Sequence, residues 1–224
     1  MSSVSYLRHS GWFAPEYAKT LNIIGVGATG SFIGLIAAKM GVHKFVIWDP
    51  DLVESHNVSN QIYDSSHIGM KKVDAFEEVL TRFNPQIEVI KYDKFFTTAE
   101  DKEKLSGHLV LTVDTMSARK DIYSSFSNNY KVDCVYETRI GWDYAELNLI
   151  DPLDILSCEE WQSTLVNDDE IPDGPCNLRI CTTLVSLVAS YAVHCICNNM
   201  LTSPEDLDKK YMFNLNPRLK TYFI

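Results

Sequence analysis

The chain contains a glycine-rich stretch whose composition suits a turn that binds phosphate groups. It reads IGVGATGS and has the spacing G-x-G-x-x-G. Glycine permits a tight turn and lets a phosphate chain approach the backbone N–H groups, and a helix that begins there adds the positive end of its dipole. The stretch therefore predicts a nucleotide-binding turn. The residues expected to line the phosphates are Gly25, Gly27, Ala28, Thr29 and Gly30.

Three polar side chains further along the chain suit ATP. Asp49 follows an apolar run 19 residues after Gly30, where a carboxylate can accept hydrogen bonds from both ribose hydroxyls. Lys72 enters a helical stretch and can neutralise phosphate charge, while Asp114 follows another apolar run and can hold Mg²⁺. A dehydrogenase that binds NAD would share the first acid but has no obvious use for the lysine and the second acid. The set favours ATP.

The periodicity of the first half of the chain predicts the elements that must position these residues. Apolar runs indicate strands and a 3.6-residue period indicates helices. The alternation predicts a Rossmann-like α/β fold with a mostly parallel sheet and helices on both faces, whose carboxyl edge gathers the turn and both acids in one crevice. Strands are expected over 20–26, 44–48, 87–93 and 108–113, and helices over 30–40, 71–83 and 117–126.

The second half of the chain departs from this alternation. Runs over 132–138 and 144–151 predict a hairpin that extends the sheet with antiparallel strands. Residues 153–176 are acidic and irregular, so we expect a long, flexible crossover loop there. An apolar helix over 179–200 and two short strands in the tail follow. Because no internal repeat is present, we expect one domain over residues 1–224.

Composition limits the partners and the compartment that we expect. The 224 residues carry a net charge of −10, which argues against nucleic acid as the main partner because that backbone requires positive surface. No basic start followed by a long apolar run is present, and the apolar stretch from Leu184 to Cys197 is short for a bilayer. We therefore expect a cytoplasmic protein away from membranes. The six cysteines lack C-x-x-C spacing, so no zinc site is expected.

Several segments together resemble one family in their order and spacing, the ThiF/MoeB/HesA and ubiquitin-activating-enzyme-like adenylyltransferases. The resemblance covers roughly residues 6–200 and includes the glycine turn, which is similar to the turn of that family. Such a combination is far more specific than the glycine turn alone. The other matching segments are Tyr6-Leu7-Arg8, DPDLVESHN with Asp49, Asp51 and Asn57, GMKKV with Lys72, Asp114-Thr115-x-x-x-Arg119, and the hairpin through Asp151-Pro152.

The resemblance implies an enzyme that binds ATP and Mg²⁺ and adenylates the C-terminal carboxylate of a partner, giving an acyl-adenylate and pyrophosphate. It implies that Asp49 holds the ribose, that Asn57 and Lys72 contact the phosphates, and that Asp114 holds Mg²⁺. Arg8 would act across the interface of a homodimer. The implied partner is a small β-grasp protein, ubiquitin-like or sulfur-carrier-like, or a peptide with a free C-terminal carboxylate.

One position departs from the pattern of the family. The motif S-N-L-Q-R-Q is replaced by HNVSNQ, so the arginine that helps to hold the triphosphate aligns with Asn60, while Gln61 keeps its identity. Losing a charge-assisted contact costs about 1.5–3 kcal/mol. Arg139 in the predicted hairpin is a candidate substitute, and Asp51 is either a ligand-binding residue or a turn residue after a proline. Either the site is rearranged or catalysis has been lost.

Some relatives pass the activated acyl group to a cysteine that precedes the last long helix. Three cysteines lie in the corresponding region of this chain, and Cys176 is the first choice among them. A reactive thiol needs exposure and a lowered pKa. The candidates are Cys176, Cys158 and Cys181.

Three other functions stay open beside adenylation. A catalytically inactive relative could bind a nucleotide as a scaffold or as the inactive half of a heterodimer. An NAD-dependent oxidoreductase is disfavoured by Lys72 and Asp114 and by the lack of a substrate domain. Activation of a carboxylate attached to tRNA is disfavoured by the acidic charge of the chain.

Overall fold

The computed structural model describes residues 4–141, 144–170, 182–202, 210–214 and 220–223. Within these ranges the chain forms eight strands and six α-helices, joined by loops and short 3-10 turns. The strands are β1 Leu21–Ile24, β2 Lys44–Trp48, β3 Glu88–Tyr92, β4 Gly107–Leu111, β5 Val132–Ile140, β6 Tyr144–Ile150, β7 Lys210–Asn214 and β8 Lys220–Phe223. The helices are α1 Ala28–Met40, α2 Lys72–Phe83, α3 Thr98–Asp101, α4 Met116–Phe126, α5 Ile155–Ser163 and α6 Thr182–Leu201.

The strands form one mixed sheet in the order β3-β2-β1-β4-β5-β6-β7-β8. The first five strands of this order are parallel, and β6, β7 and β8 add to them in antiparallel fashion. At the centre, Ile24 of β1 lies opposite Trp48 on one side and Leu111 on the other. The strand order reverses between β1 and β4, and open α/β sheets bind ligands outside the carboxyl ends of the strands at such a point.

Helices cover both faces of the sheet, which confirms the predicted Rossmann-like α/β fold. Ile23 of β1 packs in a cluster with residues of α1, α2 and α6, including Phe76 and Val188. The next residue, Ile24, belongs to a second cluster with residues of α4 and α5, including Ile122. Because both faces are buried, the central strands read as continuous apolar runs rather than alternating ones.

Helix α6 is long and apolar enough to cross a membrane by length and composition alone. Eleven of its 20 residues are buried, however, and the helix packs against α1 and the sheet. Small residues such as Ala37 in α1 and Ala189 and Ala192 in α6 contribute to this interface. The burial confirms the prediction that this apolar stretch is a core helix.

The expectation of a continuous loop over 153–176 is wrong in its first part, because α5 lies there. Asp154 caps this helix by accepting a hydrogen bond from the N–H of Leu156, 3.0 Å away. Cys158 and Trp161 face the core, whereas Leu156 is 66% exposed. An apolar residue on the solvent side removes the periodic pattern that would have predicted the helix. The rest of the expected loop, from 171 on, lies outside the described residues.

Candidate functional site

The three glycines of the turn have different physical reasons to be glycine. Gly25 has a φ of +94°, and a Cβ at Gly30 would lie 2.0 Å from the carbonyl oxygen of Gly25 and 2.6 Å from the hydroxyl of Thr112. These two glycines are therefore required by the packing of β1, α1 and the residue after β4. At Gly27, by contrast, no described atom lies within 4 Å of the place of a Cβ. This open space is what close approach of a phosphate chain requires.

Helix α1 presents its N-terminus to the same space. It begins at Ala28, and Gly27 in the N-cap position supplies no side-chain hydrogen bond to it. Its first turn contains no acidic residue. The backbone N–H groups of this turn and the positive end of the helix dipole therefore suit an anion.

Asp49 lies directly after β2, beside the glycine turn, as predicted. Its side chain is buried, and its two oxygens accept hydrogen bonds from the backbone N–H groups of Val26, at 2.8 Å, and Asp51, at 2.9 Å. Burial raises the pKa of the Asp49 carboxyl, and the nearby charge of Lys72 opposes this shift. Because each carboxylate oxygen can accept a second hydrogen bond, the fixed side chain can still accept ribose hydroxyls.

Lys72, the first residue of α2, is held next to this acid. Its backbone N–H donates to the carbonyl of Asp51 at 2.8 Å, and Leu52 forms an antiparallel bridge with Lys71. The Nζ of Lys72 lies 2.7 Å from the carboxylate of Asp51, and the side chain of the lysine is only 9% exposed. Asp51 is therefore the counter-ion of Lys72, and a phosphate group that reached this ammonium would compete with it.

The segment that departs from the family pattern lies against the start of α1, where the N–H of Ile62 donates to the hydroxyl of Ser31 at 3.3 Å. Asn57 is buried, and its Oδ1 accepts from the N–H of Glu54 at 2.9 Å. The Oδ1 of Asn60 and the Oε1 of Gln61 are buried without a hydrogen-bond partner among the described residues. Such atoms are costly and rare. They suit a polar group that comes from outside the described chain.

Asp114 lies in the loop between β4 and α4, and its side chain is exposed at the carboxyl edge of the sheet. Thr115 caps α4 by accepting from the N–H of Ala118 at 3.2 Å. The described residues contain no group of three or more acidic, histidine or cysteine side chains that could hold a metal by themselves. Mg²⁺ is commonly held by one or two carboxylates together with substrate phosphates. Asp114 fits that kind of site.

Two arginines singled out from the sequence do not join the site of their own chain. Arg8 is exposed, in a segment that Tyr6 anchors to the carbonyl of Ala38 at 3.3 Å, near the C-terminal end of α1 and so away from the glycine turn. Arg139 is bound to Glu137 at 2.9 Å and to the Thr164 hydroxyl at 2.7 Å. The structure therefore gives no support to Arg139 as a substitute for the missing arginine.

The structure describes one of the three cysteine candidates, Cys158. Cys158 is 1% exposed, and its Sγ donates to the carbonyl of Asp151 at 3.4 Å. Burial raises the pKa of this thiol, so it is neither accessible nor ionised at neutral pH. The structure therefore gives no support to Cys158 as an acyl-accepting thiol. Cys176 and Cys181 lie outside the described residues.

Sequence reasoning missed a buried polar network next to Asp114. It centres on Glu137 in β5, which is fully buried and binds Arg119 of the D-x-x-x-x-R segment with a distance of 2.6 Å. Trp161 of α5 donates to the same carboxylate at 3.2 Å. The one signal in the sequence was an acidic residue within VYET, in the middle of a predicted strand, since buried acids require a partner.

Comparisons with known proteins found a family model and several similar proteins. A family model described as "ThiF family" matches residues 18–221. Ubiquitin-like modifier-activating enzyme 5 of Caenorhabditis briggsae is 26% identical over 113 residues, which is 50% of this chain and 26% of that protein. The enzyme of the same name from Drosophila mojavensis is 30% identical over 125 residues, 50% of this chain and 31% of that protein. The matching region thus spans less than a third of the length of these relatives.

Solved structures show the same fold. The crystal structure of Escherichia coli MccB gives a TM-score of 0.73 at 13% identity, covering 99% of this chain and 69% of MccB. The structure of MccB with ATP gives 0.70 at 14% identity over 94% of this chain and 65% of that one. The structure of PaaA gives 0.65 at 19% identity over 94% of this chain and 65% of that one.

Proposed function

The chain belongs to the ThiF family, and from that premise we propose that it uses ATP to adenylate the C-terminal carboxylate of a small protein or peptide. One observation carries the proposal. The open glycine turn, Asp49 and Lys72 lie together at the point where the strand order reverses, with Asp114 at the same edge of the sheet. This set offers a phosphate site, a ribose acceptor, a cation and a metal-binding carboxylate.

The names of the similar proteins support the class of partner. The curated relatives are named for the activation of ubiquitin-like modifiers. One solved structure of MccB contains AMPCPP together with MccA. On this basis we propose a small β-grasp protein or a peptide, whose free C-terminal carboxylate enters the crevice beside the nucleotide.

The residues of this chain can then be given roles in the reaction. The N–H groups of the turn around Gly27 bind the triphosphate, Asp49 accepts the ribose hydroxyls, and Lys72 leaves Asp51 to neutralise phosphate charge. Asp114 holds Mg²⁺, which when bound neutralises charge on the phosphates and on the departing pyrophosphate. The carboxylate of the partner attacks the α-phosphorus, the bond to the β-phosphate oxygen breaks, and the bonding pair leaves with pyrophosphate.

A second function is favoured by one observation, the uncharged Asn60 in the place of the arginine of the family. A chain without that cation could bind ATP and yet not transfer the adenylyl group, and would serve as a scaffold or as the inactive half of a heterodimer. The two functions differ in pyrophosphate release. A catalytic chain releases pyrophosphate when supplied with its partner, whereas a scaffold binds ATP and releases none.

Calorimetric titration with ATP and with NAD, each with and without Mg²⁺, tests the proposal without knowledge of the partner. We expect ATP to bind and NAD not to bind. Asp114→Asn should weaken binding of ATP in Mg²⁺ about tenfold, or about 1.4 kcal/mol, and have little effect in EDTA. Asp121→Asn makes the same change at an exposed position of α4 and should bind like the wild type.

The other outcomes contradict the proposal or one part of it. Binding of NAD without ATP would indicate an oxidoreductase. Binding of neither nucleotide would leave a scaffold that uses no nucleotide or an incomplete heterodimer. An equal effect of Asp121→Asn and Asp114→Asn would remove the assignment of the metal to Asp114.

A further inference from the structure

Glu137 joins four elements of the fold through one buried carboxylate. The side chain is fully buried in β5. Its oxygens accept from the Nε of Arg119 in α4 at 2.6 Å and from the Nε of Arg139 in β5 at 2.9 Å. They also accept from the Nδ2 of Asn148 in β6 at 2.7 Å and from the Nε1 of Trp161 in α5 at 3.2 Å. One carboxylate thereby fixes the relative positions of α4, β5, β6 and α5.

The first of the two arginines connects this carboxylate to the loop that carries Asp114. The Nη1 of Arg119 donates to the carbonyl of Thr115 at 3.0 Å, and its Nη2 donates to the carbonyl of Thr138 at 3.1 Å. Thr115 follows Asp114 directly and caps α4. Because the guanidinium is planar and rigid, its orientation at Glu137 determines where the Thr115 carbonyl is held.

The second arginine reaches the same loop by a longer route. The guanidinium of Arg139 donates to the hydroxyl of Thr164 at 2.7 Å and to its carbonyl at 3.3 Å, at the end of α5. Four residues later, the carboxylate of Asp168 accepts from the N–H groups of Met116 at 2.6 Å and Ser117 at 3.2 Å. The network thus closes into a ring that returns to the first turn of α4.

Stability alone does not explain a buried carboxylate with two guanidiniums, because well-packed apolar side chains are often as stable as a buried ion pair. What the ionic arrangement provides is direction, since each N–H group must point at a fixed oxygen. We propose that Glu137 is a positioning residue that, through Arg119 and Arg139, fixes the loop of Asp114 for metal binding. The metal part of this inference rests on the proposed function.

Glu137→Gln is the direct test, because it keeps the volume and removes the charge. A glutamine amide also presents an N–H₂ group to neighbours that are all donors, so some of the network must open. Arg139→Met removes the contacts with Thr164 and one of the two guanidiniums, and it leaves Arg119 as the single arginine paired with Glu137. Asp101→Asn is a matched control, since Asp101 is another fully buried carboxylate that pairs with two lysines.

Hydrogen exchange followed by mass spectrometry measures the positioning itself. Glu137→Gln should speed exchange on the order of tenfold in peptides covering 112–120 and 164–168. Arg139→Met should do so only in 164–168, and Asp101→Asn in neither. Wild-type exchange over 112–120 in Glu137→Gln, or an equal increase in Asp101→Asn, would overturn the inference. If Glu137→Gln does not fold, Arg119→Lys replaces it, with the same increase expected over 112–120.

The Mg²⁺ dependence of ATP binding measures the consequence for the metal. Glu137→Gln should raise the Mg²⁺ concentration for half-maximal effect about tenfold, while the affinity for ATP in EDTA changes less than about twofold. Faster exchange with an unchanged Mg²⁺ dependence would show a purely structural network and would overturn the inference. If the wild type binds no ATP, the proposed function fails, and the exchange experiment still decides whether Glu137 positions the loop.

Discussion

Asp101 is a buried carboxylate whose partners make it sensitive to acid. It is fully buried at the end of α3, and it accepts from Lys104 at 2.5 Å, from Lys94 at 3.0 Å and from the N–H of Thr97 at 3.0 Å. Burial alone would raise its pKa, but these donors overcome it and lower the pKa from 3.8 to about 2. The folded state therefore favours the charged form of Asp101 more than the unfolded state does.

The predicted consequence is a loss of stability between pH 4 and pH 2. A depressed pKa of this size contributes about 2 kcal/mol above the pKa of the unfolded chain and nothing below the folded pKa. Urea unfolding of the wild type and of Asp101→Asn should differ by about this free energy at pH 7. The difference should shrink as the pH falls below 4. A difference that stays constant with pH would show that packing, not charge, is responsible.

At the scale of single residues, residue types and spacing predicted some members of the candidate site and not others. Asp49, Lys72 and Asp114 were identifiable because each lies at the end of a strand or the start of a helix. Glu137 was not, because two of the partners that bury it, Arg119 and Trp161, are 18 and 24 residues away. Only the pairing of β5 with its neighbours brings those groups together, and no local pattern records that pairing.

At the scale of the elements, the close contact between α1 and β1 predicts that a substitution in the glycine turn will destabilise the fold. At Gly30 a Cβ would lie 2.0 Å from the carbonyl oxygen of Gly25, so Gly30→Ala must separate the helix from the strand. We expect overpacking to lower the free energy of unfolding by about 1–3 kcal/mol, and the higher helix propensity of alanine offsets part of this loss. ATP binding should also be weaker.

Gly27→Ala is the matched control, because no described atom would meet the new methyl group within 4 Å. Its stability should stay within about 0.5 kcal/mol of the wild type, while ATP binding weakens as the methyl group enters the phosphate space. Urea unfolding and calorimetry on both variants separate the two effects. Equal destabilisation of the two variants would contradict this division of roles.

Elements with a regular period were predicted to within a few residues, and α5 was not predicted at all. Strand β2 was placed at residues 44–48, as observed, because its apolar run is bounded by polar residues. In α5 the buried residues are Ser157, Cys158 and Trp161, and the apolar Ile155 faces solvent. A helix whose solvent side carries apolar residues lacks the amphipathic pattern from which a helix is predicted.

At the scale of the whole molecule, the position of Arg8 indicates that this residue would act at the nucleotide site of a second copy of the chain. Since Arg8 lies away from the glycine turn of its own chain, it can serve a nucleotide only in a second copy. We expect the 25.5 kDa chain to sediment as a dimer and Arg8→Ala to weaken ATP binding.

Mixing two variants tests that arrangement directly. Arg8→Ala and Asp114→Asn should each bind ATP weakly. In an equal mixture of the two variants, about half of the dimers are mixed, and each mixed dimer contains one intact site. The mixture should therefore show about one tight site for every four chains. Calorimetric stoichiometry measures the recovery. A monomer at micromolar concentration with full ATP affinity would exclude any role for Arg8.

The pairing of β1 with β4 also determines when the glycine turn is completed during synthesis. The hydroxyl of Thr112 donates to the carbonyl of Gly25, 87 residues earlier, and so forms one wall of the glycine turn. A nascent chain that has emerged only as far as α3 contains the whole glycine motif but not the strand that shapes it. Such a fragment lacks one wall of the proposed nucleotide site. The proposed nucleotide site is therefore complete only after β4 has paired with β1.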